Sequence, residues 1–205
     1  MRYKGPKNKL ARREKTDLSL KTAGSKSQSN LLKRINIIPG EQGTRRSRKL
    51  TDYGIQLREK QKLKRVYGLT EKQMKNYFIK ASRVKGNTTE VMLEFLEKRL
   101  DNVLYRLCFS PTRASARQLV NHGHILVNNK KVSIPSFQVS VSDVVSTKDK
   151  TLNIPYISAS IQKSDAIIPD WLERKGPIGK VVGKPKTDLE GNIVNMQSVI
   201  EFYSR

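Results

Sequence analysis

"TRASARQLVNHGHILVNNKKV", Thr112 to Val132, is the stretch on which the fold turns. Thr112 is a helix N-cap and Gly123 a stop, so the residues between them read as a short helix. "HILV", the pair Asn128-Asn129 and "KKVSI" then read as a hairpin. Asparagine tolerates the left-handed angles that a type I′ turn demands at both central positions. Arg113 and Arg117 lie four residues apart on one helix face with Asn121 a turn further, while Ala116, Leu119 and Val120 face inward. Like charges at that spacing cost an isolated helix a few tenths of a kcal/mol. Such a row makes sense if phosphates complete it, and arginine can grip a phosphate with two parallel hydrogen bonds. Lys130 and Lys131 follow the turn and add a second basic edge.

The same stretch holds both histidines of the chain, His122 and His124. H-x-H supplies two metal ligands, whereas structural zinc takes four and catalytic zinc three plus an open position. No carboxylate lies within ten residues on either side, and no Ser–His–Asp or Cys–His spacing is recognisable. The expectation is therefore no metal, no cofactor and no catalytic residue. His122 sits at the helix C-terminus, where positive charge is favourable, and His124 opens the strand. They are read as hydrogen-bonding to a nucleic-acid backbone or to the last carbonyls of the helix.

Upstream the texture is helical. Thr51 caps a helix that runs to about Tyr67 and stops at Gly68, with Tyr53, Leu57, Leu63 and Tyr67 on one face and Arg58, Lys62 and Arg65 on the other. "TEKQ", Thr70 to Gln73, is a capping box that opens a second helix, with Met74, Tyr77, Phe78, Ala81 and Val84 inward. After "NTTE", Leu93, Leu96, Leu100, Val103, Leu104 and Leu107 form one continuous apolar stripe, with Glu90, Glu94 and Glu97 marking the outer face. Downstream, "FQVSVSDVVST" alternates as a half-buried strand does. Residues 167–194 read as loop punctuated by Pro and Gly, and the chain closes on the compact apolar segment "VIEFYSR". The fold class is α+β. A basic N-terminal extension covers residues 1–44, and a helical domain covers 45–94, completed by 165–205. A helix-plus-sheet module occupies 95–164.

Charge sets the class of partner. The chain has 205 residues and a formal net charge of +23. Residues 1–50 hold 15 basic and 3 acidic groups (+12), and the later stretches 51–100, 101–150 and 151–205 fall to +6, +4 and +1. This gradient points to a polyanion engaged mainly by the N-terminal half, nucleic acid ahead of an anionic membrane. Residues 1–50, with the dense cluster Arg45, Arg46, Arg48 and Lys49, read as extended chain that orders on its polyanion. The single cysteine, Cys108, forms no internal disulfide and is read as a small packed hydrophobe, which fits a reducing, cytoplasmic location. No apolar run is long enough to span a bilayer, and the basic N-terminus lacks the apolar stretch of a secretory signal.

"RLDNVLYRL" followed by "TRASARQLVNHGHILVNNKKVSIPSFQVSVSDVV" resembles the S-four-type RNA-binding module. "RYKGPKNKLARRE", "DYGIQLREKQKLKRVYGLTEKQ", "KGNT" and "VIEFYSR" are similar to the bacterial-type small-subunit ribosomal proteins of the S-four (uS-four) family. The form lacking N-terminal zinc cysteines fits, because no cysteine precedes Cys108. The resemblance runs end to end. It implies a non-enzymatic protein of the cytoplasmic ribosome that binds the 5′ domain of small-subunit ribosomal RNA directly. It further implies that the protein nucleates assembly of the subunit body, influences decoding accuracy and neighbours the S-five and S-three type proteins near the messenger entry side. No membrane and no homo-oligomer are implied. Matching positions for RNA contact are Arg2, Lys4, Lys9, Arg12, Arg13, Arg58, Lys62, Arg65, Arg113, Arg117, His122, His124 and Lys131. "KRLD", Lys98 to Asp101, is also similar to the catalytic loop of pseudouridine synthases. On a leucine-striped helix ahead of the module, however, Asp101 reads as a surface or capping residue.

Overall fold

The computed structural model describes all residues except 1, 2, 4, 42, 45–48, 163–167 and 186–192, together with the side chains of 149, 161 and 162. The chain divides into two compact units, Met1–Met92 with Thr187–Arg205, and Leu93–Lys186. The boundary expected at 164/165 therefore moves to the far side of a hairpin that Pro and Gly punctuation had disguised as loop.

In the first unit the N-terminal segment is more structured than its charge suggested. Helix α1 spans Lys7–Glu14, and α2 spans Lys26–Leu32 behind the N-cap Ser25, whose side chain accepts from the Gln28 amide. Ala11, Leu18 and Leu31 are buried. The expectation of a wholly extended tail is corrected: three apolar anchors and an ion pair from the neighbouring helix suffice to order it. That helix is α3, Asp52–Val66, capped by the Thr51 side chain on the Gly54 amide and ended at Gly68 with φ +62°. Its buried face is Gln56, Lys60, Leu63 and Val66, continued by Tyr67. Tyr53, assigned to the core stripe by the sequence, is instead half exposed, its ring 5.6 Å from that of Phe202. Helix α4, Glu71–Ser82, opens on the predicted capping box, with both Thr70–Gln73 bonds made. Met74 and Ala81 are buried, while Val84 is exposed, beyond the last helical turn.

Helix α5, Thr88–Glu97, and α6, Leu100–Arg106, replace the single helix read from the leucine stripe. All six apolar residues of that stripe are buried, yet the backbone breaks at Arg99, which is extended (φ −66°, ψ 135°). The break pairs with the following loop. Leu100 N–H donates to the Phe137 carbonyl (2.9 Å), and Val139 N–H to that of Lys98 (2.9 Å).

Helix α7, Arg113–Asn121, is capped by the Thr112 side chain on the Ser115 amide and ends at Gly123 (φ +71°). Strands β1, Ile125–Val127, and β2, Lys130–Lys131, pair across a two-residue turn in which Asn128 and Asn129 have φ +48° and +62°. Strand β3, Val144–Thr147, is shorter than the alternating run predicted, because residues 140–143 turn, with Ser142 at φ +76°. Helices α8, Asp149–Leu152, and α9, Pro155–Gln162, follow. Strands β4, Leu172–Lys175, and β5, Ile178–Val181, which the sequence left as loop, complete an antiparallel sheet in the order β2-β1-β3-β5-β4. One sheet face packs on the helices through Leu104, Leu107, Leu119, Ile125, Val145 and Val181. Gly179 makes that close, since a Cβ there would meet Leu107 Cδ2 at 2.8 Å. The chain closes with α10, Met196–Tyr203, packed on α3 and α4 in the first unit.

Candidate nucleic-acid interface

Charge on paper and charge at the surface diverge in this protein. Asp101, read as a surface or capping residue, is 3 % exposed and anchors two arginines. Arg99 reaches both its oxygens (3.1 and 2.7 Å), and Arg117 donates to Oδ2 through Nε (2.8 Å) and Nη2 (2.6 Å). A carboxylate engaged on both oxygens in this way is unsuited to attack a sugar. Glu97, assigned to the outer face, is 3 % exposed and accepts from Arg106 (3.1 and 3.0 Å) and from Asn102 (2.8 Å). Asn102 in turn accepts from Arg113 Nε at 2.8 Å, and the Arg113 guanidinium lies 4.5 Å from the Tyr105 ring centre. The Arg113/Arg117 row is therefore tied to α6 by an internal amide and carboxylate.

The first unit repeats the pattern. Arg58 and Arg65 both converge on Glu14, Arg58 at 3.3 Å, and the Glu14 side chain is fully buried. Burial pushes the Glu14 carboxyl up, against the opposing pull of Arg65 and Arg58, and burial pushes the Arg65 guanidinium down. Lys62 pairs with Glu59 at 2.7 Å, and Arg12 Nε donates to the Ile37 carbonyl at 2.9 Å. Glu71 is held by Lys60, Lys64 and Tyr203 (2.9, 2.9 and 2.8 Å). Burial raises the Glu71 carboxyl, but those three donors outweigh it and lower it to about 2. Burial and the same Glu71 contact keep the Tyr203 phenol protonated.

Other predicted cations do face outward. Lys9, Arg13, Lys49, Lys130, Lys131 and His122 are exposed. The hairpin projects Lys130 and Lys131 because Asn128 is locked in place. Its amide N–H donates to the Val144 carbonyl (2.8 Å), its side chain donates to Asp143 (2.8 Å), and its Oδ1 accepts from Val144 N–H (2.9 Å). The Lys131 stem lies across Gly123, its Nζ 3.0 Å from where a Cβ would sit. The histidine rings stand 6.0 Å apart, and Thr151 Oγ1 is 3.2 Å from His124 Nδ1. The helix's last carbonyls are met by backbone amides, His122 N–H on Gln118 and His124 N–H on Leu119. Among the described residues no group of three or more His, Cys, Asp or Glu is placed to hold a metal. No helix among them is long and apolar enough to cross a membrane. Arg2, Lys4, Arg45, Arg46 and Arg48 lie outside the described residues. The buried acceptors Asp101, Glu97 and Glu14 are the part that sequence reasoning missed. The available signal was an excess of arginine around each carboxylate.

One unit hands a basic hairpin to solvent from a short helix, the other turns Lys9 and Arg13 of a basic N-terminal helix outward, and together these define a protein built to meet a polyanion. Residues 2–97 match the family described as "Ribosomal protein S4/S9 N-terminal domain", and residues 98–145 match the "S4 domain". The chain is 48 % identical over 212 aligned residues to "Small ribosomal subunit protein uS4" of Aquifex aeolicus (strain VF5), covering 100 % of this chain and 99 % of that protein. The chain belongs to the uS4 family of small-subunit ribosomal proteins, a family of structural proteins rather than enzymes.

Proposed function

We propose that this protein is a structural constituent of the small ribosomal subunit that binds small-subunit ribosomal RNA directly. The observation that carries the reading is the end-to-end likeness to a small-subunit protein, at 48 % identity. In this reading Lys130 and Lys131 of the hairpin edge and the adjoining His122 contact RNA, as do Lys9, Arg13 and Lys49, with Arg2 and Lys4 added by family resemblance and Arg45, Arg46 and Arg48 by the dense basic cluster of the sequence. The deep groove of A-form RNA is closed to side chains, so these groups read backbone and shape rather than base sequence. Arg58, Arg65, Arg113 and Arg117 hold the frame that presents them, and Lys62, Arg12 and His124 stand between the two roles.

The finer reading is that the protein engages the 5′ domain of that RNA as a single copy and nucleates assembly of the subunit body. It then contributes to decoding accuracy beside the S-five and S-three type proteins near the messenger entry side. Footprinting on naked small-subunit RNA tests this. Protection concentrated in the 5′ domain, and preference over an unrelated RNA at matched salt, is the expected result. Equal protection of unrelated RNA would overturn it.

A further inference from the structure

Among the described residues, helices cover one face of the five-stranded sheet and leave the other open. Residues directly opposite one another in antiparallel strands share a face, so the register defines the open one. One row across it runs Lys131, Leu126, Ser146, Ile178, Lys175, and the next holds Val144, Lys180 and Glu173. Lys131, Lys175, Lys180, Ile178 and Val144 are all exposed, and Leu126 and Ser146 are half-buried. With strands about 4.8 Å apart, the face is about 19 Å wide from β2 to β4.

We propose that this open face is a second RNA-backbone contact, with Lys175 and Lys180 of the β4–β5 hairpin gripping phosphates. Both lysines lie outside residues 2–97 and 98–145, the two stretches that match family descriptions. The inference rests on the RNA-binding reading above. Three lysines against one carboxylate give the face the sign that phosphates require. The two rows carry no aromatic ring, so base stacking is not their mode. The aliphatic side chains of Ile178 and Val144 give lysine stems a surface to lie along while the ammonium heads reach the rim, and the Ser146 hydroxyl can bond a ribose 2′-OH. Lys131 belongs both to this face and to the hairpin edge, so the two surfaces are continuous. A helix-sided sheet with one open basic face would then lie against RNA from β2 to β4, not at the β1–β2 tip alone.

The test compares the full-length protein with two double variants, Lys175→Gln/Lys180→Gln and Lys130→Gln/Lys131→Gln, on 5′-domain RNA over a range of salt. Each phosphate contact contributes roughly 0.7–0.9 to the slope of log affinity against log salt. The β4–β5 variant is expected to lose about 1.4–1.8 from that slope, which is roughly a 25- to 60-fold loss at 0.1 M if affinities converge at 1 M. Its melting temperature should not move, because both side chains are exposed. An unchanged slope in this variant, with a reduced one in the β1–β2 variant, overturns the second contact and leaves the RNA reading standing. If the unchanged slope comes with protection of Lys175 by a neighbouring protein in reconstituted subunits, the face is a protein-docking surface and the proposal is wrong. Failure of the unsubstituted protein to prefer 5′-domain RNA would instead sink the underlying reading.

Discussion

The arginines of α7 and the lysines of the adjoining hairpin lie within twenty residues of each other and carry the same charge in opposite settings. Arg113 is 8 % exposed and bonded to Asn102, and Arg117 is bonded to Asp101. Lys130 and Lys131 stand in solvent on a two-residue strand. A basic row in sequence does not by itself distinguish a grip from a brace; what decides is whether a carboxylate is buried within reach. Arginine suits the brace, because its planar fork bonds in several directions and is weakly hydrated, and lysine suits a screened contact at the surface. In the first unit the division follows the carboxylates rather than the residue type: Arg58 and Arg65 brace α1 through Glu14 and Lys60 and Lys64 hold Glu71, while Lys9 and Arg13 face outward.

The comparison breaks most forcefully at Asp101. Asp101→Ala leaves Arg99, whose side chain is 3 % exposed, and Arg117 without their common acceptor. Removing one partner of a buried pair costs about 3–5 kcal/mol. Urea denaturation of the full chain should show the second unit losing that amount, and a loss below about 1 kcal/mol would make the brace incidental. On the lysine side, Asn129→Val places a β-branched residue at φ +62°. The left-handed conformation costs an ordinary side chain roughly 1–2 kcal/mol. Stability should fall by that amount, and RNA affinity should fall with it as the turn presenting Lys130 and Lys131 loosens.

In the first unit the same contrast is sharpened by acid. The Glu71 carboxyl is held down to about 2, below its ordinary 4.5, by Lys60, Lys64 and Tyr203. A depressed carboxyl contributes stability that is complete above about pH 4.5 and is lost as pH falls toward 2. Glu71→Gln should therefore flatten the acid limb of a thermal-denaturation profile in that window and leave the profile above pH 6 parallel to that of the unsubstituted protein. The lysines bound here are braces too, so their own substitution should move melting more than RNA affinity.

The parts of the fold legible in sequence were those whose signals are local. The Thr70 capping box, the Thr51 and Thr112 caps and the Asn128-Asn129 turn each follow from residues within one turn, and the leucine stripe from spacing along the chain, which showed burial but not the break at Arg99. Whatever depended on distant partners was not legible. Glu97 and Asp101 look like solvent groups on a helical wheel, and only the fold brings Arg106, Asn102 and Arg117 onto them. Strands β4 and β5 hide among Gly and Pro because a tight hairpin such as Lys175–Ile178 needs those residues. Helices α1 and α2 bury so few apolar groups that composition alone makes them a tail. Likewise, the charge pattern named the cations without showing which of them the fold pairs with buried carboxylates.

The smallest expected effect on stability is also the most direct test. Lys130→Gln/Lys131→Gln removes two exposed charges and should change unfolding free energy by less than about 0.5 kcal/mol. On 5′-domain RNA it should lower the slope of log affinity against log salt by roughly 1.4–1.8. A folded double variant whose salt slope equals that of the unsubstituted protein would contradict the claim that the hairpin lysines grip while the arginines brace.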